Sequence, residues 1–529
     1  MKRTIKTTPD PEAASYYELF REFYEAYAGE RARIRRCEAI YRGDHWYDVP
    51  VGDRNEPRPV TPVIHSAIEN VRADLDEYVP EAVITADSAS YAELADTLTR
   101  IIKEDHMNCA YDEEYRKVTH DLLVCGYAVQ EIGYDPEAAG GMGSAFIRHV
   151  DVGSVLFDPL VSDIQEGRAV MKFARRTRDW FREHYPKEAE DLSDDGLFMD
   201  VGGDGVLTPR YDKSIMLIEC WIRKYDAKKR RYSVHVLKLA GGMILEDSRK
   251  AYPAGVYAHG EYPFVITALF PRKGSALGYG FVDMFETSQR YSDKLDQVVM
   301  KNALMASHNK LLVTGSSGFD VEDLRDWSKD VHRGDNLNGV TWFQTAPLPA
   351  YLIQYIADMR DTIKEESGAN DWSRGMTNYG VTSGTAISAL QEKSSKRARM
   401  AAKSLHSAFR RAVEQELELE REFALGLRCI KTYIDRSDPE GAKKADKAAR
   451  EVMRMEDMPI SIRVTVKVQK SSGFSAIAHN DTVFRLVETG MITPEVGLEL
   501  IVFEGREQAK ALMKEKAAEG LPKGTGLPV

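Results

Sequence analysis

The chain has 529 residues, of which 43% are hydrophobic and 29% are charged, values that fit a folded protein and exclude collagen-like and wholly disordered chains. Its 72 basic and 83 acidic residues give a formal net charge of -11, which excludes a protein that binds nucleic acid through overall positive charge. The five cysteines form no C-x-x-C pair, a pattern that argues against disulfide, redox and cysteine-zinc chemistry.

The first 125 residues predict a mainly helical region. Aromatic and apolar residues recur at helical spacing from Ser15 to Ile40 and indicate one helix, which ends at Gly43. A proline-dense stretch from Pro50 to Pro62 separates it from three further amphipathic helices, predicted at Val63–Tyr78, Tyr91–Met107 and Tyr111–Cys125.

After Gly126 the pattern changes to short β-rich runs divided by glycine and proline turns. The predicted strands are Ala128–Tyr134, Ala145–Val150, Val155–Phe157, Ala169–Ala174, Ile215–Tyr225, Tyr232–Leu239 and Met243–Leu245. One helix near Arg178–Tyr185 and a loop through Ser193–Pro209 interrupt them. This part of the sequence predicts a mixed α+β lobe.

The next part of the chain predicts two long helices around a small insert. Phe281–Ala306 has a helical pattern with few breakers, and Ala350–Glu366 carries an apolar stripe behind Pro347 and Pro349. The insert between them predicts strands at Lys310–Val313 and Val340–Phe343 and a helix at Val321–Ser328. The acidic residues of the two long helices slightly outnumber the basic ones, and the alternative to a functional role for this bias is a pair of ordinary solvated faces.

A glycine-rich loop, Gly368–Gly384, leads to a helix predicted from Thr385 to Leu425 whose charges are polarised. Basic residues near its start and acidic residues near its end both oppose the helix dipole, so neighbouring groups should compensate them. Head-to-tail subunits would supply such groups, and the alternative is an inert solvated face. The candidate interface residues are Lys393, Lys396, Arg397, Arg399, Glu414 and Glu418.

The C-terminal part predicts one strand followed by helices. Ile460–Val468 alternates apolar and polar residues and should join strands far earlier in the chain. Helices are predicted at Asn480–Thr489, Thr493–Phe503 and Glu504–Lys516, followed by a frayed tail.

Motifs that carry enzyme chemistry are missing from the sequence. There is no phosphate-binding loop, and the twelve histidines form no zinc-binding pattern. Gly380-Val381-Thr382-Ser383-Gly384 fits a helix cap better than a nucleophile elbow, because no strand precedes it. We therefore expect no catalytic residue, cofactor or metal, and the sequence has neither a secretory signal nor an apolar run long enough to span a membrane.

At this point the order of elements resembles that of bacteriophage portal proteins, the head-to-tail connectors of tailed phages, and most of all those of short-tailed phages. The resemblance covers most of the chain and depends on the succession of elements, since each motif alone is weak. The helix, insert, helix, loop and helix from Phe281 to Leu425 carry it. So do the segments at 126–136, 149–151, 155–159, 262–264 and 278–280 and the string at 380–387.

The resemblance implies an α+β, predominantly helical fold with wing, stem, clip and crown regions assembled into a cyclic ring. The implied division is a wing at 1–279 to which 428–475 returns, a first stem helix at 280–308, a clip at 309–347, a second stem helix at 348–368, a tunnel loop and backbone helix at 369–427, and crown-like C-terminal helices and a tail at 476–529.

The function that the resemblance implies is structural and not enzymatic. The ring, usually a dodecamer in particles, would sit at one capsid vertex as the channel for packaging and ejection of double-stranded DNA. The large terminase would dock first and head-tail adaptor or tail proteins later, with capsid and scaffolding proteins as further partners. The implied location is the virion, and the host cytoplasm during assembly.

The same resemblance suggests which residues act. Arg374, Asn378 and Tyr379 are candidates for touching DNA in the channel, although their loop is alternatively a surface connector. The candidates for docking terminase or adaptor are Trp327, Lys329, His332 and Arg333, although Trp327 is alternatively a core residue.

Two other functions remain as alternatives. Another ring-forming head-tail adaptor would share the channel, but such proteins are much shorter and lack the succession of helix, insert and helix. A metal-dependent nucleic-acid enzyme would need clustered acidic residues that bind divalent metals.

Overall fold

The computed structural model describes residues 11–50, 56–76, 79–86, 92–192, 214–227, 230–307, 310–326, 328–343, 347–368, 396–423, 462–468 and 483–491, and the single residues 480, 493, 497 and 501. Within these residues, helices and antiparallel sheets enclose one large apolar core, and a small second cluster surrounds Phe181. Helix and sheet both contribute, so the fold is compatible with the predicted α+β class.

Five helices open the described chain: α1 (Pro11–Ala26), α2 (Ala28–Tyr41), α3 (Val63–Asp76), α4 (Ala92–Asn108) and α5 (Tyr111–Val124). The prediction of one helix from Ser15 to Ile40 is wrong, because the chain leaves helical geometry at Tyr27 (ψ 7°). This break lets the two helices meet different partners. Phe20 of α1 packs edge-on against Phe173, whereas Arg33 of α2 pairs with Asp283.

Two antiparallel sheets form the β part of the core. The larger has the order β4 (Val155–Phe157), β5 (Ala169–Thr177), β6 (Ser214–Asp226), β7 (Arg231–Ala240) and β8 (Met243–Asp247). The smaller has the order β3 (Ser144–Val150), β2 (Tyr127–Asp135) and β9 (Phe264–Ala268), of which the sequence did not predict β9 as a strand. Three short helices occur among the strands: α6 (Ala138–Gly141), α7 (Arg178–His184) and α8 (Ser248–Ala251).

A third sheet joins distant parts of the chain. Strand β1 (Pro80–Ala86) pairs antiparallel with β14 (Ile462–Val468), with Pro80 opposite Val468 and Ala86 opposite Ile462. The sequence predicts β14 and its pairing with an early strand but does not predict β1.

Two long helices flank the insert, residues 310–343. Helix α9 (Phe281–Ser307) follows the short pair β10 (Phe270–Pro271) and β11 (Gly278–Tyr279). The insert contains β12 (Lys310–Val313), α10 (Val321–Arg325) and β13 (Val340–Phe343), and α11 (Tyr351–Ser367) then packs back along α9. We call residues 281–367 the α9–α11 segment, and the described elements that precede it, together with β14, the body.

The last long helix, α12 (Lys396–Phe423), runs through the body. One of its faces is buried against β2, β3, β9 and α3 through side chains such as Ala401, Phe409 and Leu417. The predicted loop at Ser193–Pro209, nearly all of the loop at Gly368–Gly384 and most of the predicted C-terminal helices lie outside the described residues.

Candidate functional site

The α9–α11 segment leaves the body through a tight backbone contact. A β carbon on Gly126 would lie 2.1 Å from the carbonyl carbon of Tyr279, and one on Gly280 would lie 2.7 Å from the carbonyl oxygen of Leu123. Gly126 also has φ +84°, a left-handed conformation that favours glycine. Gly278 and Gly280, on both sides of Tyr279, therefore belong to a joint where two backbones touch.

Arg33 of α2 fastens this joint from the side. Its guanidinium pairs with Asp283 in the first turn of α9 and with Glu30, and it donates to the carbonyl oxygen of Cys125 at 2.7 Å. Burial by itself lowers the pKa of Arg33, but the hydrogen bond to Glu30 and the charges of both carboxylates raise it overall. The cation is thus held in place at the start of α9.

A buried polar network continues along the same face of α9. Gln289 Oε1 accepts the backbone N–H of Val63 at 3.1 Å, and Gln289 Nε2 donates to the carbonyl oxygen of Thr61 at 2.7 Å. One turn later, Asp293 Oδ1 accepts the N–H of Thr61 at 3.2 Å, and Asp293 Oδ2 lies 2.5 Å from His45 Nδ1. Gln289 and Asp293 are 0% and 1% exposed. The first N–H groups of a helix have no carbonyl partner within that helix. Side chains of α9 therefore supply the acceptors for N–H groups at the start of α3 and just before it.

Helix α11 is fixed to α9 by one arginine and two apolar contacts. Arg360 pairs with Asp296, and it donates to Ser292 Oγ at 3.2 Å and to Thr61 Oγ1 at 3.1 Å. Ile356 and Ile363 of α11 are buried on the same side. The two helices and the start of α3 thus share one polar cluster.

The acidic residues of α9 have polar or charged partners within the chain. Asp283, Asp293 and Asp296 are paired as described, and Glu286 lies 2.8 Å from Arg36 Nε in an ion pair. The slight acidic excess that the sequence predicts for α9 is therefore not an open acidic face, since its carboxylates have partners in α2, α11 and the segment before α3. Of the carboxylates on the two helices α9 and α11, the exposed ones all lie on α11: Asp358, Asp361, Glu365 and Glu366.

The second half of α9, residues 294–307, has no buried residue. Several large apolar side chains there and in the adjoining α11 and insert are instead 43–81% exposed: Val298, Met300, Leu304, Met305, Leu312, Val321, Val331, Leu337, Trp342, Tyr351, Ile353 and Tyr355. Ser317 and Gly339 are the buried residues of the described insert. This half of the segment therefore has almost no core of its own.

Two of the predicted docking residues meet in the insert. Lys329 pairs with Asp323, whose second oxygen lies 3.5 Å from His332 Nδ1, and the bond from Lys329 holds the pKa of Asp323 below its usual value. Arg333 is exposed beside them. Trp327 lies outside the described residues.

Helix α12 uses its acidic residues in two ways. Glu414 lies 3.7 Å from Arg410 and Glu418 pairs with Arg421, all within the helix. Two further glutamates on the inward face are fully buried: Glu416 lies 3.1 Å from His106, and Glu420 accepts the N–H of Ala145 at 2.9 Å. The subunit itself therefore supplies part of the groups that compensate the polarised charges of α12. The sequence did not indicate these contacts.

The other candidate residues fall at the start of α12 or precede it in the sequence. Lys396, Arg397 and Arg399 fall in the first turn of α12. Lys393 and the predicted DNA-contacting residues Arg374, Asn378 and Tyr379 lie outside the described residues.

One cluster in the described chain brings together atoms of the kind that bind metals. Ligand-type atoms of Glu38, His120 and Asp121 lie within 4.8 Å of one another. His120 Nε2 is 2.9 Å from Glu38 Oε1, and Asp121 Oδ2 is 2.7 Å from His149 Nε2. Burial lowers the pKa of His120, but Glu38 raises it overall, whereas burial raises that of Asp121. These hydrogen bonds account for the cluster as a link between α2, α5 and β3.

Comparison with known proteins places the chain in a family. The family model described as phage P22-like portal protein matches residues 17–524, and no curated protein sequence matches the chain. None of the described helices combines the length and hydropathy that a membrane span requires. The match extends over the body, α9, the insert, α11 and α12, which are the elements whose succession carries the resemblance. The chain therefore belongs to the phage P22-like portal proteins, a structural family of the virion's portal vertex.

Proposed function

We propose that copies of this chain form the ring-shaped channel at the capsid vertex through which double-stranded DNA is packaged and later ejected. The observation that carries this proposal is the second half of α9, together with the insert and the start of α11. Twelve of their large apolar side chains are 43–81% exposed in the single subunit, and so much exposed apolar surface in one region is typical of protein interfaces.

A cyclic ring explains this exposure because each subunit then presents two different faces, one to each neighbour. The two-stranded sheet of β12 and β13 is a further reason to expect neighbours. A two-stranded sheet alone is marginally stable in water, and the described insert has almost no buried residue to support it. Contacts between adjacent subunits would supply the missing core.

Within this ring we assign the body to the wing, with residues 428–475 returning to it. The pairing of β14 with β1 supports that return. Residues 280–308 and 348–368 would be the stem helices, and 309–347 the clip. Residues 369–427 would form the tunnel loop and backbone helix, and 476–529 the crown and tail.

The partners follow from the same assignment. The large terminase, and later an adaptor or tail protein, would dock on the clip near Lys329, His332 and Arg333, with Trp327 as a further contact. Arg374, Asn378 and Tyr379 would touch DNA inside the channel. The charges of α12 that face outward, Glu414 and Glu418 among them, would meet basic residues of the next subunit, and capsid and scaffolding proteins would hold the ring at its vertex.

The mass of the protein in solution tests the ring. Light scattering on the wild type should give a mass many times 59.6 kDa, and electron microscopy should show a central hole. The double variant Val298→Asp with Leu304→Asp should give monomers, because it places charges in the proposed apolar interface. Leu160→Asp is the control, since it changes a leucine of the body that is 81% exposed, and it should leave the rings intact. A wild type that stays monomeric at high concentration would contradict the proposal.

A further inference from the structure

The hairpin formed by β6 and β7 ends in a strongly basic tip. Residues 223–232 read Arg-Lys-Tyr-Asp-Ala-Lys-Lys-Arg-Arg-Tyr, with six basic residues and one acidic residue in a chain whose net charge is -11. The strands pair up to Asp226 opposite Arg231, so Lys224, Arg230 and Arg231 lie at or next to the end of the hairpin.

Three of these basic side chains are open to a partner. Lys224, Arg230 and Arg231 are exposed and form no ion pair with any residue that the structure describes. Arg230 also has φ +50°, a left-handed conformation that an arginine adopts at a cost and glycine would adopt freely. Strain at a non-glycine residue often marks a functional position.

Two tyrosines accompany the cations. Tyr225 and Tyr232 lie directly opposite each other in the strand register, with ring centroids 5.1 Å apart, and are 52% and 47% exposed. The guanidinium of Arg223 lies 4.1 Å from the ring centre of Tyr232 and donates to the carbonyl oxygen of Gln165. The aromatic pair is therefore held in position although it faces solvent.

The base of the hairpin is rigid. The N–H of Val256 donates to the carbonyl oxygen of Val234 at 2.8 Å, and a β carbon on Gly260 would lie 2.3 Å from the carbonyl oxygen of Tyr232. The segment around these residues thus packs against β7 just below the tip. A partner that binds beside Tyr232 would meet a strand that is already packed in place, which lowers the entropic cost of binding.

We propose that this hairpin binds the phosphate backbone of double-stranded DNA, at a surface separate from the proposed channel segment α9–α11. Lysine, arginine and tyrosine side chains are common donors to DNA phosphates, and the overall negative charge of the protein requires such a contact to be local. The choice of DNA over another polyanion rests on the proposed portal function, because the DNA that enters the capsid is then close to the ring.

The test measures the affinity of the full-length protein for a 30-base-pair duplex by fluorescence anisotropy. The variant carries Lys224→Gln, Arg230→Gln and Arg231→Gln. We expect its affinity to fall about tenfold or more in 50 mM salt, and the slope of log affinity against log salt to lose about 2.7, since each phosphate contact contributes about 0.9. A matched control, Arg100→Gln with Lys103→Gln and Lys187→Gln, removes three exposed charges elsewhere and should stay within about twofold of the wild type.

Three results would overturn the proposal: a wild type that binds no duplex in 50 mM salt, a hairpin variant that binds as the wild type does, or equal losses in hairpin variant and control. If the hairpin variant kept its affinity for DNA but had a reduced mass in light scattering, the hairpin would be assigned to contacts between subunits. If the hairpin variant kept its affinity for DNA but lost affinity for an acidic phage protein, the hairpin would be assigned to binding that protein. Mass and affinity are measured separately, so the two proposals can fail separately. A wild type that forms no ring would contradict the portal proposal. A wild type that forms rings, with a hairpin variant that keeps its affinity for DNA, would contradict only the hairpin proposal.

Discussion

The two halves of α9 have opposite surroundings, although they belong to one helix of 27 residues. All six buried residues of the helix lie at 281–293, and none lies at 294–307. The first half contacts α2, α3 and α11 through buried polar groups. The second half shows apolar side chains such as Val298 and Leu304 to solvent.

The difference indicates which contacts hold each half. A helix of this length extends about 40 Å, and a single subunit supplies a core only for its first part. The first half should therefore respond to substitutions as the interior of a folded domain does. The second half should respond chiefly through assembly.

The largest effect on stability is expected for Asp293→Ala. The substitution leaves His45, Gln289 and the N–H of Thr61 without their shared acceptor in a buried site. Each buried donor left without an acceptor costs about 1–3 kcal/mol, so the three together should cost about 3–5 kcal/mol. Chemical denaturation of the variant should show this loss in the free energy of unfolding.

The matched change in the second half is Lys301→Ala. Lys301 pairs with Glu56 at 2.5 Å, but the two side chains are 50% and 32% exposed. An exposed ion pair contributes about 0.2–1 kcal/mol, so this variant should unfold almost as the wild type does. Equal losses for Asp293→Ala and Lys301→Ala would contradict the distinction between the two halves.

At the joint, Gly126→Ala should lower the free energy of unfolding by about 3 kcal/mol, which is at the lower end of the loss expected for Asp293→Ala. The new methyl group meets the backbone of Tyr279 at 2.1 Å, and the left-handed φ of +84° adds strain. Gly43→Ala separates the two causes, because Gly43 has φ +87° but no atom within 4 Å of its β-carbon position. Thermal unfolding should show a loss of about 1 kcal/mol for this control. Similar losses for both glycines would mean that the backbone contact at the joint adds nothing.

Elements with a strong local pattern could be predicted from the sequence. The strands Lys310–Val313 and Val340–Phe343 have the predicted bounds, and α3 begins at its predicted first residue, Val63. Strand β1 was missed because its seven residues begin with a proline and its partner, β14, lies at the other end of the chain. The break at Tyr27 was missed because helical spacing of apolar residues continues across it, while tertiary contacts turn the two helices apart.

The site was predicted less completely than the fold, since charge partners are set by tertiary structure. Asp283 and Arg33 are 250 residues apart, so the sequence counted the carboxylate among the surface charges of α9. Glu416 and Glu420 show the same limit, because the glutamates of α12 alternate in sequence but lie on two faces of the helix. The segment 278–280, which helped to carry the resemblance, contains glycines at the joint, where only glycine allows two backbones to approach so closely.

The smallest effect on the single subunit is expected for Leu304→Ala in the second half of α9. Leu304 is 47% exposed, and surface substitutions of this kind change the free energy of unfolding by less than about 0.5 kcal/mol. The same change removes apolar surface from the proposed interface, so light scattering at decreasing concentration should show subunits dissociating sooner than in the wild type. Leu304→Met keeps the apolar volume and should restore assembly. If Leu304→Ala instead destabilised the monomer by 2 kcal/mol or more, this half of α9 would be held by its own subunit, and its exposed side chains would no longer require a neighbour.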